Sequence, residues 1–174
     1  MKDKIKKILS KRNIIDIVLI IIIASIVCIP LLNNKLNVYS DDGIQHISRA
    51  YGTLESIKNG NFNIISSFTN NFGYSWNLFY GPINTYAIIL LNLIVKNYII
   101  AYKILVYGLL ILSGLFMYKF MYKMTINRNI SLLATSIYIL APYHLTDLYV
   151  RNALGEFASF TFVPLVFYHH FVKK

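Results

Sequence analysis

The chain has 174 residues, of which 56% are apolar and only 14% charged, and it carries a formal net charge of +10. A soluble domain of this length holds about a quarter charged residues, so the composition excludes a water-soluble globular enzyme and a disordered tail. The single cysteine, Cys28, excludes a disulfide scaffold and a cysteine metal site. Positive charge joined to a mean hydropathy of +0.54 points to an anionic membrane surface, not to nucleic acid.

Residues 1–13 hold Lys2, Lys4, Lys6, Lys7, Lys11 and Arg12 against Asp3 alone. An apolar segment follows at 14–32, close to the ~20 residues that cross a bilayer. The stretch after Cys28 reads Ile-Pro-Leu-Leu-Asn-Asn, a poor cleavage site, so the segment is expected to be retained with a cytoplasmic N-terminus.

Residues 33–77 are the most polar part. Within them Ile44, Ile47, Tyr51, Leu54 and Ile57 recur at helical spacing. Asp42 with Gln45 three residues on is an N-cap signature, and Gly60 stands where a helix stops. The spacing predicts an amphipathic helix near 42–59 lying on the outer membrane surface. Residues 59–77 are then expected to form a loop with Tyr74, Trp76 and Tyr80 as interfacial aromatics.

Four more apolar segments follow, at 82–95, 98–118, 130–145 and 157–172. If all were full spans, the loop 119–129 with Lys119, Lys123 and Arg128 would lie outside, against the positive-inside tendency. The segment 82–95 is short and interrupted by Pro82, Asn84 and Asn92, as re-entrant or interfacial segments are. Letting it enter and leave on one side places 119–129 and Lys173-Lys174 in the cytoplasm and 146–156 outside. Lys103 would then snorkel to the outer headgroups. Five full spans is the competing topology.

Two acidic clusters lie on the outer face of the membrane in this arrangement. The first is Asp41-Asp42 with His46 and Arg49, where positions 42, 46, 49, 53 and 56 share the polar helix face. The second runs from Tyr143 through His144, Asp147 and Arg151 to Glu156. Adjacent carboxylates can serve as a base with a charge partner or bind a divalent cation, and Arg and His suit a phosphate. Plainer readings compete at each position. Asp42 is a helix cap, Asp147 and Arg151 are an i, i+4 surface pair, and His46 is simply solvated. His169 and His170 are interfacial, the aromatics of the spans pack or face lipid, and the basic N-terminus is a topology signal. A glycine-rich phosphate loop and a Ser-His-Asp elbow are missing from the sequence.

Three strings carry a family resemblance. They are Asp41-Asp42-Gly-Ile-Gln-His46-Ile-Ser-Arg49-Ala-Tyr, Phe72-Gly-Tyr-Ser-Trp-Asn-Leu-Phe-Tyr-Gly-Pro82, and Ala141-Pro-Tyr-His-Leu-Thr-Asp147-Leu-Tyr-Val-Arg151-Asn-Ala-Leu-Gly-Glu156. Together they resemble bacterial multi-spanning proteins filed as "6-pyruvoyl-tetrahydropterin synthase-related" membrane proteins. These are similar to lipoteichoic-acid glycosylation proteins and, more distantly, to GT-C glycosyltransferases. The pterin name implies no chemistry here, because that soluble enzyme needs a His-rich zinc site on a β scaffold.

The resemblance implies an all-α integral membrane bundle in a bacterial plasma membrane, and a polyprenyl-phosphate-linked sugar as donor for cell-envelope glycosylation. It implies a catalytic or metal-holding carboxylate at Asp41 or Asp42, with Mg or Mn as the candidate cation. His46, Arg49, Asp147, Arg151 and Glu156 become candidate substrate- and phosphate-binding residues. Family members continue through more spans, so the chain is expected to be an N-terminal module that needs a C-terminal continuation or partner subunit. A non-catalytic lipid-carrier-binding or transport subunit and a truncated, inactive remnant are the competing functions.

Overall fold

A computed structural model describes residues 2–33, 40–61, 67–69 and 72–172, with the side chains of 2–12, 67–69, 72–74 and 172 left aside. The N-terminal lysines, Lys35 and Lys173-Lys174 therefore lie outside the described side chains. The fold is helical. Helix α1 (Lys2–Cys28) runs into a 3-10 turn (Ile29–Leu32), and α2 follows at Gly43–Lys58. A two-stranded antiparallel ribbon pairs β1 (Ser67–Thr69) with β2 (Phe72–Tyr74), with Ser67 opposite Tyr74. It occupies part of the stretch expected to be loop. The short α3 (Trp76–Phe79) leads to α4 (Ile83–Val95), α5 (Tyr98–Thr125) and α6 (Arg128–Ile139). Then come α7 (Pro142–Thr146), a π turn (Asp147–Arg151) and α8 (Leu154–Val172).

Local chemistry sets the breaks. Lys96 and Ile126 take left-handed backbone at φ 55° and 53°, ending α4 and α5. The asparagine after each caps the next helix. Asn97 Oδ1 accepts from the Ile100 amide at 3.1 Å, and Asn127 Oδ1 accepts from those of Asn129 and Ile130. The expected segment 130–145 is broken at Ala141, held extended before Pro142, whose missing N–H suits the first position of α7. Helix α2 ends with the Asn61 amide on Ser56 O and the Gly60 amide on Ile57 O, Gly60 at φ 78° supplying the left-handed residue.

The buried apolar cluster gathers Ile20 and Ala24 of α1, Ile88 and Ile89 of α4, and Leu154 and Phe157 of α8 around a stripe of α5. That stripe runs Tyr102, Val106, Leu110 at four-residue steps. Gly114 continues it, and a Cβ there would stand 2.7 Å from Ile139 Cδ1 and 2.8 Å from Ile20 Cγ2, so α1, α5 and α6 meet over a bare backbone. Among the described residues as many polar side chains are buried as apolar ones, including Ser113, Ser131, Thr135 and Thr161. Large apolar side chains such as Ile14, Ile22, Ile26, Leu133, Ile137, Phe162 and Val166 stand exposed. Small polar residues inside and bulky apolar ones outside suit a lipid solvent. Among the described residues two helices are long and apolar enough to cross a membrane, Asn13–Leu32 and Tyr98–Thr125.

The bundle has two polar layers. At one end Asp16 Oδ1 accepts from Arg128 Nε at 2.5 Å, and its Oδ2 accepts from the Tyr118 hydroxyl at 2.5 Å. At the other, the Tyr102 hydroxyl donates to Asn152 Oδ1 at 2.9 Å. Along α5 the layers lie about 24 Å apart at the usual helical rise, comparable with the ~30 Å hydrocarbon core of a bilayer. Helix α4 starts beside Leu154, whose carbonyl accepts from Asn84 Nδ2 at 3.4 Å, and ends at the turn into α5. Both its ends thus belong to the layer of Tyr102 and Asn152.

Candidate functional site

The Tyr102 layer is built from four chain segments. The backbone joins two of them: the Asp41 amide donates to Val150 O at 3.1 Å, and the Asp42 amide to Arg151 O at 2.9 Å. The two acidic clusters singled out in the sequence are therefore in direct contact. Val150 and Arg151 are the last residues of the π turn, which stops at left-handed Asn152, so their carbonyls lack intrahelical partners and can accept these bonds.

Helix α2 differs from expectation in two ways. Asp42 stands at the N-cap, but its side chain makes no capping bond; Ser40 Oγ accepts from the Gly43 amide at 3.2 Å instead. The Asp42 carboxylate is thereby released from the cap role, and it is half-buried while Asp41 is exposed. The second difference is the facing of the helix. His46, Arg49, Thr53 and Ser56 are buried, whereas Ile44 and Tyr51 are exposed. The polar face turns into the protein, while the apolar face is divided, with Ile47 and Leu54 packed on the core and Ile44 and Tyr51 turned out. His46 is therefore not a solvated histidine.

His46 Nε2 accepts from the Leu154 amide at 3.3 Å, and the Tyr80 hydroxyl accepts from the Gly155 amide at 3.0 Å. These two side chains satisfy orphan amides at the start of α8. A Cβ on Gly155 would fall 2.6 Å from the Tyr80 oxygen, so the glycine permits this approach. Burial holds the His46 pKa down to about 4, with the Arg49 charge adding to the effect and Asp42 opposing it.

Arg49 is 3% exposed. Its Nε and Nη2 donate to Asn77 Oδ1 at 3.1 Å each, and Nη2 also donates to Tyr80 O at 2.5 Å and Gly81 O at 3.3 Å. The guanidinium lies 4.9 Å from the Tyr80 ring centre. All these acceptors are neutral, and among the described residues no carboxylate pairs with it. Burial lowers its pKa.

Arg151 is the opposite case. Its Nη1 donates to Asp147 Oδ1 at 3.0 Å, Glu156 Oε2 at 2.8 Å and the Tyr143 hydroxyl at 2.8 Å, and Nη2 donates to Glu156 Oε1 at 2.7 Å. The forked pairing holds Glu156 down to about 2, chiefly through the Arg151 hydrogen bond, and raises the Arg151 pKa. The expected Asp147–Arg151 pair exists, though on a π turn and with Asp147 wholly buried. Asp147 Oδ2 has no hydrogen-bond partner. Burial and the Glu156 charge push Asp147 up, against the pull of Arg151.

Asp41, Asp42, His46, Arg49, Asp147, Arg151 and Glu156 thus share one end of the bundle. No three His, Cys, Asp or Glu side chains are grouped to hold a metal ion among the described residues, so Asp41 and Asp42 alone do not fit a resident cation. His169 and His170 lie at the far end of α8. Sequence reading passes over Asp16, Asn77, Tyr102 and Asn152. Asp16 carried a usable signal, as the only acid in the first apolar helix beyond the basic segment.

A protein of Lactococcus lactis subsp. cremoris (strain MG1363), described as uncharacterized, is 26% identical over 167 residues, covering 91% of this chain. The match takes in 27% of that relative, so the chain spans about a quarter of its length. No family model matches the chain, and no solved structure does.

Proposed function

We propose that the chain is the N-terminal membrane module of a GT-C-like glycosyltransferase that uses a polyprenyl-phosphate-linked sugar to glycosylate the cell envelope of a bacterium. The observation that carries this reading is the backbone docking of Asp41-Asp42 on Val150 and Arg151. It brings the segment of a carboxylate released from capping against the segment that carries Arg151.

In this reading the module is a multi-pass protein of the plasma membrane with a cytoplasmic N-terminus. The Asp16–Arg128 layer is then inner, the Tyr102–Asn152 layer outer, and α4 stays on the outer side. The positive residues of 1–13 and 119–129 support that orientation. Cysteines placed at 67 and 146, with Cys28 replaced, are expected to react together with an impermeant thiol reagent on intact cells. Reaction of one alone defeats the orientation.

The chemistry follows from the groups present. An acceptor hydroxyl attacks the anomeric carbon of the donor and passes its proton to Asp41 or Asp42. The bond to the lipid phosphate breaks with its electron pair, and the charge gathered on the phosphate is stabilised by nearby cations. The remaining three-quarters of a protein like the Lactococcus relative would supply the acceptor side. Asn matches Asp in shape and the Asp42 side chain makes no capping bond, so Asp→Asn separates chemistry from folding. Transfer by the full-length protein should disappear in Asp41→Asn, Asp42→Asn or the double variant, with insertion intact. Wild-type transfer in all three refutes the assignment.

A further inference from the structure

Helix α8 carries Pro164 in its interior. A proline has no N–H, so the carbonyl four residues earlier loses its helical donor and is crowded by the ring. That carbonyl is Phe160 O, and the Tyr138 hydroxyl of α6 donates to it at 2.7 Å. A proline inside an apolar helix is tolerated where a neighbouring helix satisfies the freed backbone group, and here a single side chain does so. Tyr138 and Phe160 are braced together by α7. His144 Nδ1 donates to Tyr138 O at 2.8 Å, and the His144 ring stands edge-on to that of Phe160 at 4.5 Å.

The two parts of α8 are held differently. Before Pro164, His46 and Tyr80 take the Leu154 and Gly155 amides, Leu154 and Phe157 are buried, and Thr161 Oγ1 donates to Leu109 O at 3.2 Å. Beyond Pro164, Val166, Phe167, His169, His170 and Phe171 stand exposed. There α8 meets α5 through rings, with Phe167 on Phe120 at 6.1 Å and Lys119 Nζ 5.1 Å from the Tyr168 ring centre. Apolar contact is non-directional and tolerates sliding that a hydrogen bond resists. We propose that α8 is hinged at Phe160–Pro164, its far part swinging against α5, and that the Tyr138 hydroxyl is the latch that holds it in. Helix α7 joins this latch to the candidate site, since it carries His144 and also Tyr143, which is bonded to Arg151 and Glu156. The hinge stands apart from the glycosyltransferase reading.

Nitroxides on Ile94→Cys and His169→Cys, with Cys28 replaced by serine, would report the swing by pulsed dipolar distance measurement on the purified chain in nanodiscs. A second pair, Ile94→Cys and Ser159→Cys, watches the part of α8 before the hinge. All three positions are exposed. The 94–169 distances should hold a minor open population in the otherwise unaltered chain. Tyr138→Phe leaves Phe160 O without a donor, and losing one partner of a buried bond should raise that population about tenfold. Pro164→Ala returns an amide to Phe160 O, so the open population should vanish in Pro164→Ala and in its double variant with Tyr138→Phe. The 94–159 distances should stay the same throughout. Unchanged 94–169 distances in Tyr138→Phe, broadening of both pairs, or a double variant as open as Tyr138→Phe alone each overturns the hinge. If Tyr138→Phe fails to insert, the unaltered chain against Pro164→Ala decides alone, and equal 94–169 distributions then overturn it.

Discussion

Asp16 and Arg49 are buried alike, 2% and 3% exposed, but they are neutralised by different means. Asp16 sits in a closed set, with Arg128 on one oxygen and the Tyr118 hydroxyl on the other. Arg49 is held by carbonyl oxygens and one aromatic face, with its charge uncancelled. The first arrangement ties α1 to α5 and α6 and presents little net field. The second leaves a guanidinium without a paired carboxylate among the described residues, at an end where Arg151 is tied to Asp147 and Glu156. A salt bridge supplies cohesion between helices; a guanidinium on neutral acceptors keeps its charge.

The sharpest way to break this contrast is to unpair the Asp16 layer. Arg128→Met leaves the Asp16 carboxylate buried without its cation, which should cost about 3–5 kcal/mol. The low end applies, because the Arg128 side chain is 38% exposed. The melting temperature in detergent should drop clearly, and adding Asp16→Asn should recover most of the loss. A single variant that melts like the wild type would show the pair to be surface-like.

Acid should separate the layers next. His46 accepts a bond through Nε2, so folding favours its neutral form. With its pKa lowered to about 4 in the folded protein, an unfolded chain takes up the proton first as pH falls. Stability therefore declines between pH 6.5 and 4, by about 2–3 kcal/mol in total. His46→Gln should flatten that slope in denaturation titrations. An unchanged slope would assign the acid sensitivity elsewhere.

The smallest of these effects concerns the seat of Tyr80. Gly155→Ala places a methyl against the Tyr80 phenol and must shift the ring that lies over Arg49. Overpacking of this kind costs about 1–3 kcal/mol. Thermal melting should show that loss, while Gly81→Ala, with nothing near its Cβ, should cost less.

Several of these features were legible in the sequence. Asp42 marks the start of α2 by position, although Ser40 supplies the capping oxygen, and Gly60 marks its end, because the residue types of turns act locally. The Asp147–Arg151 pair was legible from its spacing. The facing of α2 was not. Spacing tells which residues share a face, but not whether that face meets solvent or protein. Asp16 escaped for another reason. Its partner stands 112 positions away, and no local pattern joins them. The same holds for His46, Tyr80 and Asn152, which acquire their roles only through distant contacts.

The His46 bond to the Leu154 amide closes over 108 positions of chain. A ribosome adding about 5–20 residues per second needs roughly 5–20 s to cover that distance. Arg49 and Thr53 find their partners at Asn77 and Tyr80, 24 to 31 positions on, well before that interval ends. His46 alone lacks its hydrogen-bond donor until α8 is made, so that corner of the site is finished last, on a clock set by translation.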